Sequence, residues 1–226
     1  MVFFYRAELR LKGFLWYHTL ARATESFYTH SVVPVVHNYG LTLALAGYDA
    51  DPAFGYVSIY GRKGYRSLLE LFREHGVYAY PAIAKRAYTQ EVIMSAIGES
   101  TVQAKGKGRL SYPDFTKNVV LAPGSILETL IVSEGELPSR FAVRIGAKRA
   151  GTLWVELTRV PVDIANNRKV THPFNVNDVV RVDGYTVLLR HEAGDVGIFG
   201  VAEEAYVVPV RDSKTKEVVV PALKLE

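Results

Sequence analysis

The sequence predicts an α+β protein in which antiparallel strands outweigh helices, and three observations carry that prediction. Phe141 to Leu157 alternates apolar and polar residues on both sides of a glycine-bounded turn, GAKRAG, which is the signature of a β-hairpin. Helical apolar spacing is clearest in two stretches, 34–46 and 65–75. After Ile126 the chain reads mostly as alternating strands punctuated by turn residues.

The elements follow in order. Residues 2–12 put Phe3, Tyr5, Ala7, Leu9 and Leu11 on one side and Phe4, Arg6, Glu8, Arg10 and Lys12 on the other, a first strand with one core face and one cationic face. An aromatic-rich connection follows, and Pro34 then stands where a first-turn helical proline is tolerated, so 34–46 is expected as a helix stopped by Gly47. Residues 47–64 are loop-rich around a short alternating piece, Tyr56 to Tyr60. A second helix, Tyr65 to His75, lies between Gly64 and Gly76 with Leu68, Leu69, Leu71 and Phe72 on its buried side, and VYAYPA reads as a strand ended by Pro81. Residues 85–98 fit either a helix or a strand. From Ser100 to Ser125 glycine and proline are interleaved with Lys105, Lys107, Arg109 and Lys117, the texture of an extension rather than a core. Ile126 to Val132 is a strand, Arg159 to Ile164 extends the hairpin or opens another strand, and Asn166 to Lys169 is expected as a turn. Asp183-Gly184 predicts a hairpin, and Asp212 to Thr215 joins Tyr206–Val210 to Val218–Leu225.

At 226 residues and 25.1 kDa the chain buries roughly 70% of its unfolded surface without staples. Cysteine is absent, which excludes disulfides and thiolate metal sites, and the six histidines form no HxH or HxxxH pair, so no metal or other cofactor is expected. No apolar run is long enough to span a bilayer and the N-terminus lacks the order of a signal peptide, so a cytoplasmic protein without membrane contact is expected. A net charge of +4 permits a polyanionic partner, and the distribution of charge has to carry the rest.

GAKRAGT is not a phosphate-binding P-loop, because Thr152 follows Gly151 directly and the pattern needs a lysine between them. No dinucleotide fingerprint, nucleophile elbow or zinc helix occurs, and Glu203 and Glu204 are adjacent, so a strand would point them to opposite faces. The chain is therefore not expected to be an enzyme. One metal-free alternative stands, an endoribonuclease using Tyr17, His18 and a lysine; a protein-only interaction scaffold is another. The glycine-bounded loop holds Arg144, Lys148 and Arg149 beside Gly146 and Gly151, a composition that suits a phosphate chain or simply an exposed soluble turn. Lys-Gly-Lys-Gly-Arg at 105–109 can follow a phosphate backbone while neighbouring aromatics stack on bases. Arg10 on the first strand and His37 complete the candidate RNA-binding set; His37 fits a capping or packing role equally well.

Five stretches, HNYGLTLALAG (37–47), YRSLLELFREHGVYAYPA (65–82), SYPDFTKNVVLAPGS (111–125), RIGAKRAGTLWVEL (144–157) and THPFNVNDV (171–179), together resemble the type I-D form of the Cas-five family. Those are subunits of the CRISPR Cascade effector of antiviral defence, within the repeat-associated RNA-binding superfamily. The resemblance implies one RNA-binding domain over 1–226 with a ferredoxin-like, RNA-recognition-motif-like βαββαβ core. It also implies a β thumb inserted at about 98–125 and a β-rich C-terminal region at 160–226. It implies a non-catalytic subunit that grips the 5′ handle of the crRNA through Arg144, Gly146, Lys148, Arg149 and Gly151, with Lys105, Lys107 and Arg109 in the thumb. The implied neighbours are the large subunit, the backbone subunit and target DNA near the PAM end.

Overall fold

A computed structural model describes residues 2–15, 21–24, 27–30, 34–47, 67–96, 114–146, 151–191, 193–210 and 217–225. In chain order its elements are β1 (Phe3–Leu11), β2 (Ala21–Thr24), β3 (Phe27–His30), β4 (Val35–Val36), α1 (Asn38–Ala46) and α2 (Leu68–His75). There follow β5 (Val77–Ala79), β6 (Ala82–Arg86), β7 (Thr89–Ala96), β8 (Asp114–Leu121), β9 (Ile126–Ser133), β10 (Arg140–Ile145) and β11 (Gly151–Arg159). The C-terminal strands are β12 (Asp163–Lys169), β13 (Phe174–Asn175), β14 (Val182–Asp183), β15 (Thr186–Leu189), β16 (Val196–Ile198), β17 (Val201–Pro209) and β18 (Glu217–Pro221). Among the described residues the fold is antiparallel sheet with two short helices, apart from one parallel pair, β3 with β8.

The main sheet runs β10-β11-β1-β9-β6-β4, with β5 beside β6 on the same edge of β9. β1 is central because its alternation is the cleanest: Ala7, Leu9 and Leu11 are buried while Arg10 is exposed. Each buried leucine contributes about 1.5–3 kcal/mol, and a one-residue slip would drive Arg6, Glu8 and Arg10 into the core, so the register is tightly held. α1 packs Leu41 and Leu45 into the cluster on that inner face, with Leu9, Leu127, Ile131 and Val155. It touches both β5 and β10, on opposite flanks of the sheet, so the sheet curls around it. α2 is capped by the Ser67 hydroxyl at Leu69 N–H and closed by Gly76 in a left-handed conformation, and it buries Leu68, Leu71 and Phe72.

Within the main sheet the order β11-β1-β9-β5 is joined from β1 to β5 by a crossover that contains both helices. From β9 to β11 the described part of the crossover carries strand β10 instead of a helix. A second sheet, β2-β3-β8-β7, is built on the β7–β8 pair, registered from Thr89↔Leu121 to Ala96↔Asp114. The C-terminal strands form β12-β17-β14, with β18 also on β17, and a small sheet β13-β16-β15. Val170, Val208, Val220 and Ala222 from this part pack on Leu130, Val132, Tyr78 and Tyr80, so they cover one half of the outer face of the main sheet.

A buried polar network locks α1 to the C-terminal strands. The Asn38 side-chain amide donates to Tyr78 Oη at 2.9 Å and to Asp178 Oδ2 at 3.0 Å, Tyr78 Oη donates to the same carboxylate oxygen at 3.0 Å, and Asn175 donates to Asn38 Oδ1 at 3.1 Å. His172 Nε2 meets the Pro81 carbonyl at 3.0 Å, and Tyr80 Oη donates to the Pro221 carbonyl at 2.7 Å. Every such group is satisfied inside the protein, and losing one partner would leave an orphan costing about 1–3 kcal/mol.

Several sequence expectations are corrected. Pro34 does not open a helix; Val35 and Val36 pair with Ile83 and Ala82 as an edge strand, and α1 starts only at Asn38, after its cap His37. Two β-branched residues next to an open sheet edge gain more from pairing than from a helical turn. Asn166 to Lys169 is no turn: β12 runs straight through it, and Asn167 absorbs the irregularity at φ 53°, an angle asparagine tolerates. Asp183-Gly184 bends the chain with Gly184 at φ 67°, but its flanking strands do not pair with each other, since β14 joins β17 and β15 joins β16. The ambiguous 85–98 resolves largely into strand β7, because a partner, β8, is present for all eight of its residues. Residues 48–64 of the expected loop, Tyr17, His18 and the Asp212–Thr215 turn lie outside the described residues, although the hairpin that turn closes is present as Tyr206↔Val220.

Candidate nucleic-acid interface

The half of the outer sheet face that the C-terminal strands leave open is built from the polar positions of β1, β9, β10 and β11. Register fixes its rows. Ala142, Trp154, Arg10, Ile126 and Arg86 lie side by side across β10, β11, β1, β9 and β6. The next row toward the turn pairs Arg144 with Thr152, and Thr152 O accepts the Lys12 N–H at 2.8 Å. The row on the other side is Arg140, Glu156, Glu8 and Glu128. At Lys85 and Arg86 a register shift places both residues against one position of β9, which re-aims the side chains at this edge.

Counting this face and its margin, Arg6, Arg10, Lys12, Lys85, Arg86, Arg140 and Arg144 face three carboxylates, Glu8, Glu128 and Glu156, a surplus of four positive charges. Glu128 binds Lys85 at 2.9 Å and Arg6 at 3.0 Å; burial works against its charge, but these two cations prevail and hold the carboxyl below its ordinary value. Glu8 holds Arg10 at 2.7 Å. Exposed pairs of this kind contribute at most about 1 kcal/mol each, so they orient the cations more than they stabilise the fold. Arg86 lies 5.6 Å from the Tyr88 ring centroid, so the margin of the face couples a cation to an exposed aromatic.

The hairpin turn opens at one end of this face, and its two glycines serve different purposes. Gly146 stands at φ 84°, the left-handed region that starts the turn. Gly151 is needed for close approach: a Cβ there would come 3.0 Å from the Ile145 carbonyl oxygen and 3.2 Å from Leu15 Cδ1.

Of the sequence-predicted residues, Arg10, Arg144, Gly146 and Gly151 are brought together here. Lys148, Arg149, Lys105, Lys107 and Arg109 lie outside the described residues. His37 does not join them. It is 7% exposed, its Nδ1 accepts the Tyr39 N–H at 3.0 Å, and its Nε2 meets the Gly194 carbonyl at 2.8 Å, which makes Nε2 the protonated nitrogen. Burial, countered in part by that hydrogen bond, lowers it to about 4 and keeps it neutral. Sequence reasoning had put Lys12 on the cationic face of the first strand and missed Trp154, Lys85 and Arg86 as members of this face. The signal for Trp154 was present: a tryptophan at the solvent position between Leu153 and Val155. Among the described residues no cluster of His, Asp and Glu could hold a metal, and no helix is long and apolar enough to cross a membrane.

The fold and this face define the class: a β-rich protein of antiparallel sheets that keeps half of its main sheet open and cationic. The chain belongs to the type I-D CRISPR-associated protein Cas5/Csc1 family, whose model matches residues 2–218. Among solved structures it is similar to a CRISPR protein from Archaeoglobus fulgidus at 13% identity and a TM-score of 0.43, with 98% of this chain and 100% of that chain covered. No curated protein matches it in sequence.

Proposed function

We propose that the chain is a non-catalytic guide-RNA-binding subunit of a type I-D CRISPR effector complex, gripping the 5′ handle of the crRNA and capping the backbone subunits next to the large subunit. The observation that carries this reading is the open cationic sheet face ending in a glycine-bounded turn, on a chain of a CRISPR-associated family. A surplus of cations on a rigid sheet surface binds a ribose-phosphate strand by releasing counterions and needs no metal or nucleophile. The strand order β11-β1-β9-β5 matches that of a ferredoxin-like βαββαβ core whose second helix has given way to β10. In this reading the β7–β8 arm belongs to the thumb expected at about 98–125, with Lys105, Lys107 and Arg109 in the sequence that joins its two strands.

The test is a binding titration of the full chain with a 5′-handle RNA across a salt series. Replacing Lys148 and Arg149 with glutamine should weaken binding and flatten the logarithmic salt slope by about 0.7 for each phosphate that is no longer neutralised, with an unchanged melting temperature. The RNA should remain intact on a denaturing gel of the same samples. Unchanged affinity would remove this loop from the interface, and cleavage in the presence of EDTA would overturn the non-catalytic reading.

A further inference from the structure

We infer that Trp154 is a base-stacking platform, on which one unpaired base of a single-stranded RNA lies flat against the open half of the main sheet; this rests on the RNA-binding reading above. A single exposed apolar side chain means little by itself. Trp154, 38% exposed, differs in its surroundings. Leu153 and Val155 on either side are fully buried, so the backbone under the indole belongs to the rigid inner core. One cross-strand neighbour is Ala142, too small to cover the ring, and the other is Arg10, whose guanidinium is anchored by Glu8. Side chains directly opposite on antiparallel strands have Cβ atoms about 4.5–5.5 Å apart, so a phosphate bound at Arg10 leaves its base within reach of the indole.

The row continues past Ile126 to Arg86 and Tyr88. Three strand spacings of about 4.8 Å carry it roughly 14 Å from Trp154, room for a short single-stranded run flanked by cations at both ends. The charge surplus of the face selects a polyanion over a cationic, neutral or apolar partner, and the flat π-surface selects one with exposed bases over a duplex, whose bases are already stacked. The platform is preorganised, because the indole stands on the central strands and little conformational freedom is lost on binding.

The experiment uses the full chain with Trp16→Phe, which leaves Trp154 as the single tryptophan. A short oligouridylate and an abasic oligonucleotide of equal length and charge, each carrying a terminal fluorescein, are titrated at low salt; tryptophan emission reads quenching in the parent chain, and the anisotropy of the label reads affinity in every variant. The oligouridylate should quench Trp154 and bind about 5- to 150-fold more tightly than the abasic strand, the range expected for one stacked base. Trp154→Ala should bring the oligouridylate down to the abasic affinity and leave the abasic affinity itself unchanged, which also certifies that the variant is folded. Trp154→Phe should retain most of the difference. Equal affinities for both strands in the parent chain, or an oligouridylate affinity untouched by Trp154→Ala, would overturn the platform and leave the guide-RNA reading standing. Failure of the parent chain to bind either strand would defeat both. Loss of assembly with other effector subunits in Trp154→Ala, with RNA affinity unchanged, would make this face a protein contact and equally overturn the platform.

Discussion

Acidification should destabilise the protein through the interlock that joins α1 to the C-terminal strands, and a single substitution should double the effect. Burial lowers His37 from 6.5 to about 4 against its hydrogen bond to Gly194, and burial lowers His172 to about 4 against its bond to Pro81. A histidine whose folded value lies below its unfolded value loses stability as pH falls from 6.5 toward 4, because the unfolded chain takes the proton first. Each should forfeit about 3 kcal/mol over that interval. Asp178 works in the opposite sense. Burial raises it from 3.8 to about 6 despite the donors Asn38 and Tyr78, so the folded protein holds the extra proton between those values and gains stability as pH falls. Between about pH 6 and 4 the unfolded chain binds two more protons on the histidines and one fewer on the aspartate. The net of one proton predicts a loss of about 1.4 kcal/mol per pH unit. Glu128, whose folded value is depressed below 4.5, adds its own loss from about pH 4.5 downward. Asp178→Asn keeps an oxygen to accept from Asn38 and Tyr78 and abolishes the titration, so the slope should steepen to about 2.8 kcal/mol per unit. Urea unfolding curves followed by circular dichroism, at steps from pH 7 to 4.5 with a constant m-value, measure both slopes. A flat profile in the parent, or equal slopes in parent and variant, would refute the assignment of these buried groups.

Two further outcomes follow from packing. Gly151→Ala should cost about 1–3 kcal/mol and lower the melting temperature, because its Cβ meets the backbone oxygen of Ile145, which cannot move without disturbing the turn; an unchanged melting temperature would show that the contact relaxes freely. Tyr80→Phe should cost about 1–3 kcal/mol in urea unfolding by stranding the buried Pro221 carbonyl, and it should leave RNA affinity unaltered, since Tyr80 is fully buried under the C-terminal strands.

The sequence by itself determined which residues of the cleanly alternating strands face the core. The alternation of β1, the hairpin of β10 and β11, the α2 boundary at Gly76 and the β17–β18 hairpin are all legible because side-chain period and turn chemistry are local properties. It also put Arg10 on a cationic face and Arg144 at the head of a glycine-bounded turn. The tertiary structure decided what lies beside what. Trp154 and Arg10 are neighbours only because β11 pairs with the first strand of the chain, and Asp183-Gly184 separates two sheets instead of closing a hairpin because β14 and β15 take different partners, β17 and β16, that come later in sequence. The stretches around His37, Tyr78 and Asn175 look like site motifs in isolation, yet they converge on one buried hydrogen-bonded network. A polar residue's role depends on whether it ends up desolvated, and desolvation is set by contacts between segments a hundred or more residues apart.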